Sequence, residues 1–184
     1  MVVTLPEAKL HLRVDIADDD PLITALIEAA TDYCEKRTGW SLVQRAWVVE
    51  LSGFPSNGGE IVVPIAPLVS VTSMSFISPS NVSVPMTDGT DYRVSTALQT
   101  GRIRMPLGGS AWLATASIPD AVTIVVQAGC ANAGVVPNAF RQSIKLLVGH
   151  WYENREAVSG DAGQAVDLTV ASLLSLYDAR EMMP

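Results

Sequence analysis

Residues 136–158 read VPNAFRQSIKLLVGHWYENREAV, and the period of this stretch decides how the whole chain is organised. Pro137 suits the first turn of a helix, where its missing N–H would have no partner in any case. Phe140, Ile144, Leu147, Val148 and Trp151 then recur at steps of three and four, with Arg141, Gln142 and Lys145 opposite. That spacing predicts an amphipathic helix running to about Arg155. It follows about 90 residues without any such period, whereas the N-terminus has it too, so the helical ends are expected to close one core around a different kind of insert.

Outward on the C-terminal side, the small-residue hinge SGDAGQA (159–165) leads to Asp167, read as the cap of a last helix that carries Val170, Leu173, Leu174 and Tyr177. The tail is DAREMMP. On the far side of the chain, Thr4-Leu5-Pro6-Glu7 has the form of a capping box and opens a short helix to about Arg13. Asp18, Asp19 and Asp20 precede Pro21, and carboxylates favour the positive end of a helix, with Asp20 as the expected cap. The second helix runs to Thr38 with Leu22, Ile23, Leu26, Ile27, Ala30 and Cys34 on one face, and Gly39 closes it.

Between Trp40 and Gly129 the chain is rich in Val, Ile, Ser, Thr, Gly and Pro. Strands are expected at 44–51, 60–63, 69–77, 92–95, 101–105 and 122–127, separated by FPSNGG, SPSNVSVPMTDGTD and LGGSAWLATASIPD. In VSVTSMSFI (69–77) both alternating sets include apolar residues, which predicts cover on both faces. The fold class is therefore α+β: a small helical bundle from residues 1–39 and 135–184, with a β-rich antiparallel or sandwich-like insertion over 40–130 in a single domain.

Composition narrows the function. Hydrophobic residues make up 48% with a mean hydropathy of +0.28, which predicts apolar surface covered by other copies. No stretch approaches the roughly 18 apolar residues of a membrane span, and the start has no secretory pattern, so a cytoplasmic, non-membrane protein is expected. A net charge of −7 repels a phosphate backbone and argues against tight nucleic-acid binding. Cys34 and Cys130 have no CxxC spacing and are read as free thiols.

Candidate chemistry is thin. His150 and Glu153 stand at i, i+3, a spacing that can place two metal ligands together, but a third ligand is missing, and a histidine hydrogen-bonded at a helix interface answers the pattern better. DIADDD lacks the sixth-position Gly and twelfth-position Glu of a calcium loop. No G-x-S-x-G, Walker or dinucleotide pattern occurs. Arg102 and Arg104 in GRIRMP share one side of a strand; they can touch DNA or an acidic neighbour, but a solvated face is the expected role. No cofactor, metal or catalytic residue is expected.

The segments EAKLHLRVDIADDD (7–20), Thr38-Gly39, VPNAFRQSIKLLVGHWYENREAV (136–158) and LTVASLLSLYDA (168–179) resemble the head-to-tail connector, or adaptor, proteins of long-tailed bacteriophages, a type also found in prophages and gene transfer agents. The resemblance covers nearly the whole length, although Cys130 stands where such proteins more usually carry an aromatic. It implies a non-enzymatic virion protein of the neck, made in the host cytoplasm. In that role a ring of about twelve subunits joins the portal protein to the stopper or tail-completion protein, and DNA passes through without sequence-specific binding. Another neck component, a stopper or terminator, is the alternative, and a phage enzyme with a β substrate module is the more distant one. On this reading Trp151, Tyr152, Glu153, Arg155 and Glu156 form a subunit or portal interface, since aromatic and charged groups combine there. Tyr177, Arg180, Met182 and Met183 form a second contact, in a tail that orders on the portal.

Overall fold

The computed structural model describes residues 1–97, 100–106, 108–109, 111–154 and 161–179, with the backbone alone for residues 57 and 161–165. The described residues divide into two compact units: Met1–Val43 joins those from Cys130 to Ala179 in a helical unit, and Gln44–Gly129 forms a β unit. The class is α+β, as the sequence indicates.

In the helical unit, α1 (Leu5–Leu12) opens with the capping box: the Thr4 hydroxyl accepts from the Glu7 amide at 3.4 Å, and the Glu7 carboxylate accepts from the Thr4 amide at 2.8 Å. That hydrogen bond from the Thr4 backbone holds the Glu7 carboxyl below its ordinary range. α2 (Asp20–Thr38) starts differently from expectation. Asp19, not Asp20, occupies the cap position, and Asp20 is the first helical residue. Lys9, in the last turn of α1, draws the Asp20 carboxylate into an ion pair at 2.6 Å, so it is not spent on a helix amide. Gly39, at φ 73°, closes α2 with its amide on the Glu35 carbonyl, a left-handed conformation that costs glycine least.

The third helix, α3 (Asn138–Glu153), buries Phe140, Ser143, Ile144, Leu147 and Val148 and packs against α1, α2 and the last helix, α4 (Asp161–Leu174). Each large apolar side chain so buried contributes about 1.5–3 kcal/mol. α4 begins ahead of the hinge's end, so Asp167 lies inside it and is not its cap. The alanines and Gln164 of the expected hinge are strong helix formers and extend the helix back to Asp161. No helix among the described residues is long and apolar enough to cross a membrane.

In the β unit, β1 (Arg45–Leu51), β3 (Leu68–Ile77), β4 (Ser83–Met86) and β7 (Val122–Ala128) form an antiparallel sheet in the order β1-β7-β3-β4. β2 (Ile61–Val62), β5 (Arg93–Ser95) and β6 (Arg102–Arg104) form a second, in the order β2-β6-β5. Six strands fall where alternation predicts them, and β4 does not. Its SVPM sequence looks like loop because of Pro85, yet β4 is an edge strand, where a missing amide is tolerated.

β3 also departs from the expectation of cover on both faces. Its pairing with β7 shifts between Leu68 and Ser70 and again between Val71 and Ser73. These irregularities turn Val71 to the same side as Leu68, Met74 and Phe76: the four lie opposite buried β7 residues, with Val71 partly buried against the core, while Val69 is exposed. They join Val49, Ile103, Val122, Ile124 and Val126 in one core. Gly101 is required by close approach, because a Cβ there would lie 1.9 Å from the Leu68 side chain.

Candidate functional site

The end of α3 gathers Trp151, Tyr152 and Glu153 from the predicted contact set. Trp151 and Tyr152 are half-buried and already engaged within the helical unit. Trp151 meets the ring of Tyr33 on α2 edge-to-face at a centroid distance of 6.3 Å. The Tyr152 hydroxyl donates to the Asp19 carboxylate at the start of α2. Glu153 is exposed. Arg155 and Glu156 lie outside the described residues, as do Arg180, Met182 and Met183.

His150 stays local: Asn154 donates to its backbone carbonyl at 2.9 Å, and the Asn154 amide nitrogen lies 3.2 Å from its Nδ1. This side chain finishes α3 with a polar cap. Among the described residues no group of three His, Cys, Asp or Glu side chains is arranged to hold a metal.

Tyr177 is part of a three-ring cluster that period alone does not reveal. Its ring lies 5.4 Å from Trp40, at an interplanar angle of 89°, and 5.3 Å from Phe140. Trp40 and Phe140 are themselves 5.3 Å apart. Two residues on, the Ala179 amide donates to the Thr38 carbonyl at 2.8 Å and Ala179 is fully buried. The segment after α4 is thereby built into the core of the helical unit at the end of α2.

In the β unit, Glu60, next to β2, stands between two guanidinium groups. Arg102 Nη1 donates to one carboxylate oxygen, and Arg104 Nε to the other at 2.5 Å. The bond from Arg104, followed by that from Arg102, holds the Glu60 carboxyl below its ordinary range against the opposing effect of burial. Arg102 is thus drawn off the expected solvated face into a partly buried ion pair, while Arg104 stays exposed and shares the same carboxylate; Glu60 is too remote in the chain for spacing to reveal the contact. Beside them opens a cleft of about 820 Å³, lined in part by Arg93, Val94, Arg104, Met105 and Pro106. The Trp112 indole donates to the Gly59 carbonyl at 2.7 Å and stacks on Phe54, which fixes the backbone of the cleft wall.

Both cysteines are buried free thiols. Burial pushes Cys34 up to about 12 and raises Cys130 as well, so neither is activated as a nucleophile.

The fold defines an α+β class, in which the two ends of the chain form one helical unit and the residues between them a β-rich unit. Residues 2–66 match the family model described as "Phage gp6-like head-tail connector protein". Among solved structures, a chain from the neck of an empty gene transfer agent particle, computed with C6 symmetry, superposes with a TM-score of 0.75 at 24% identity. That match covers 96% of this chain and 89% of the other. A chain from the neck of the native particle, computed with C12 symmetry, gives 0.71 at 22% identity over 96% and 88%. A chain from the virion of the native gene transfer agent particle gives 0.72 at 25% identity over 94% and 89%. The resemblance to phage and gene transfer agent connectors therefore holds; no curated protein matches the chain.

Proposed function

We propose that this protein is a structural subunit of a virion neck, an adaptor ring between the portal and the stopper or tail-completion protein, with DNA passing through the centre. The observation that carries the reading is the likeness to neck chains over almost the full length, supported by the connector match on residues 2–66. The C6 and C12 symmetries of those necks support a cyclic assembly, about twelve copies in the closed ring.

Surface and charge agree with a mechanical part. Leu10, Leu168 and Leu176 are 82%, 71% and 77% exposed on the helical unit, apolar surface of the kind a neighbouring subunit covers. The net charge of −7 favours a channel along which DNA slides without adhering. The end of α3, with Trp151, Tyr152 and Glu153 followed by Arg155 and Glu156, is assigned to the subunit or portal contact. Tyr177 positions the tail, in which Arg180, Met182 and Met183 meet the portal.

The test is electron microscopy of the full chain mixed with its cognate portal protein: a ring seated on the portal is expected, and free chain beside bare portals overturns the assignment. Because Trp151 supports Tyr33, its replacement confounds folding with assembly. Reversing the charges of exposed Glu153 and of Arg155 is the sharper probe, and unchanged ring formation by that variant removes the α3 end from the interface.

A further inference from the structure

The cleft of the β unit holds an excess of positive charge that nothing described in this chain answers. In the β5–β6 ladder Arg93 lies directly opposite Arg104, a like-charge pairing that is unfavourable unless an anion sits between or beside the two. Glu60 answers Arg102 and Arg104. Three guanidiniums against one carboxylate leave two positive charges uncompensated, in a protein whose overall charge is strongly negative. Arg93 is exposed and makes no ion pair with any described residue, and Arg104 offers only Nε to Glu60, so its terminal amino groups remain available for a second carboxylate.

The rest of the lining limits what can enter. Val94, Met105 and Pro106 make an apolar wall beside the arginines. Duplex DNA presents a uniformly charged, convex backbone that leaves such a wall uncovered, whereas a peptide carrying both carboxylates and an aliphatic side chain matches both parts. At about 820 Å³ the space accommodates several peptide residues.

The chain itself displays such a peptide. Between α1 and α2, Asp15, Ile16, Ala17 and Asp18 are all exposed, with Ile16 at 59%, and neither Asp15 nor Asp18 makes an ion pair with a described residue. The loop is held in place from behind, since Lys9 Nζ donates to the Ile16 carbonyl at 2.7 Å and pairs with Asp20. A preformed loop loses little freedom on docking.

We propose that the cleft of one copy receives the Asp15–Asp18 loop of the next, its carboxylates on Arg93 and Arg104 and Ile16 against Val94, Met105 and Pro106. Such a contact joins two different surfaces and so propagates head to tail, the type that closes into a ring. It deepens the neck reading and rests on it for the identity of the partner.

A fluorescent peptide of residues 13–20, RVDIADDD, titrated into the full chain and read by anisotropy, tests the cleft without needing assembly. Saturable binding is expected. It should weaken with added salt and fall at least about tenfold in Arg93→Ser and further in Arg93→Ser/Arg104→Ser, each lost charge-assisted pair accounting for roughly one decade. Arg93→Ser removes an exposed side chain and leaves the fold intact, which circular dichroism verifies. Absence of peptide binding overturns the proposal, as does equal binding by the arginine variants. Preferential capture of a labelled oligonucleotide through the same arginines overturns it in favour of a nucleic-acid site. Rings formed on portals by Arg93→Glu/Arg104→Glu as readily as by the unaltered chain would sink the cleft contact and leave the neck reading standing. Peptide binding by a chain that never joins a portal would support the cleft and sink the neck role.

Discussion

Cutting the chain after Leu176 removes Tyr177, Asp178 and Ala179, and the structure sets what this costs. Tyr177 loses ring contacts to Trp40 and Phe140 at 5.4 and 5.3 Å, each worth about 1 kcal/mol. The Ala179 amide no longer reaches the Thr38 carbonyl, a further 1 kcal/mol or so. Its fully buried methyl adds about 0.8 kcal/mol. The expected loss is about 3–4 kcal/mol relative to the full chain, whereas a cut after Ala179 keeps all of these contacts and should stay within about 0.5 kcal/mol of it. Urea unfolding of the three chains, followed by the helical circular-dichroism signal, reads the difference directly. If the two truncations agree within about 1 kcal/mol, the segment after α4 does not close the helical unit and the reasoning fails. The comparison also decides how the tail is tested on a portal. Only the cut after Ala179 removes Arg180, Met182 and Met183 while sparing the core, so lost portal binding by that chain is attributable to the tail.

Three further outcomes are expected. Glu60 has its carboxyl held below the ordinary range, so its stabilising effect is complete above about pH 4.5 and fades as the pH falls through the lowered folded-state value. Glu60→Gln should therefore cost about 1.5–3 kcal/mol near neutrality and lessen the acid sensitivity of unfolding; an unchanged pH profile refutes the assignment. Thr4→Ala breaks the capping box of α1 and should destabilise the chain by about 1 kcal/mol in urea unfolding, an effect absent if the α1 start is frayed. Cys34 and Cys130 should react with a thiol reagent only as fast as the chain opens, because burial raises both thiols; rapid labelling of the folded chain contradicts their place in the core.

Where the sequence speaks through short range, it is readable. The capping box at Thr4, the close of α2 at Gly39 and the buried stripe Phe140-Ile144-Leu147-Val148 depend on neighbours within a turn or two, so spacing alone exposes them. Asp20 and Asp167 show the limit of such reading. Lys9 from another helix claims the first, and helix-forming residues ahead of the second carry α4 past its expected start. β4 is missed because Pro85 is penalised without knowledge that the strand lies at an edge. The candidate site divides in the same way. Aromatic and charged residues at the end of α3 stand out in the sequence, but that Trp151 faces Tyr33 and Tyr152 reaches Asp19 depends on contacts across more than a hundred positions. The Arg93–Arg104 cleft gives no local signal, since the two arginines meet only through strand register.

The α+β class, the succession of the four helices and six of the strands, and the resemblance to connector proteins are legible in the chain alone, because helical and strand periods, caps and turn residues act over a few residues and need no knowledge of what lies opposite. Long-range packing sets the closure of the core by Tyr177 and Ala179 against Trp40, Phe140 and Thr38, and the sharing of Glu60 by two arginines while Arg93 has no ion pair among the described residues. Those contacts join residues far apart in the chain, and ring stacking or charge pairing of this kind exists only once strand register and helix packing have brought the partners within a few ångströms.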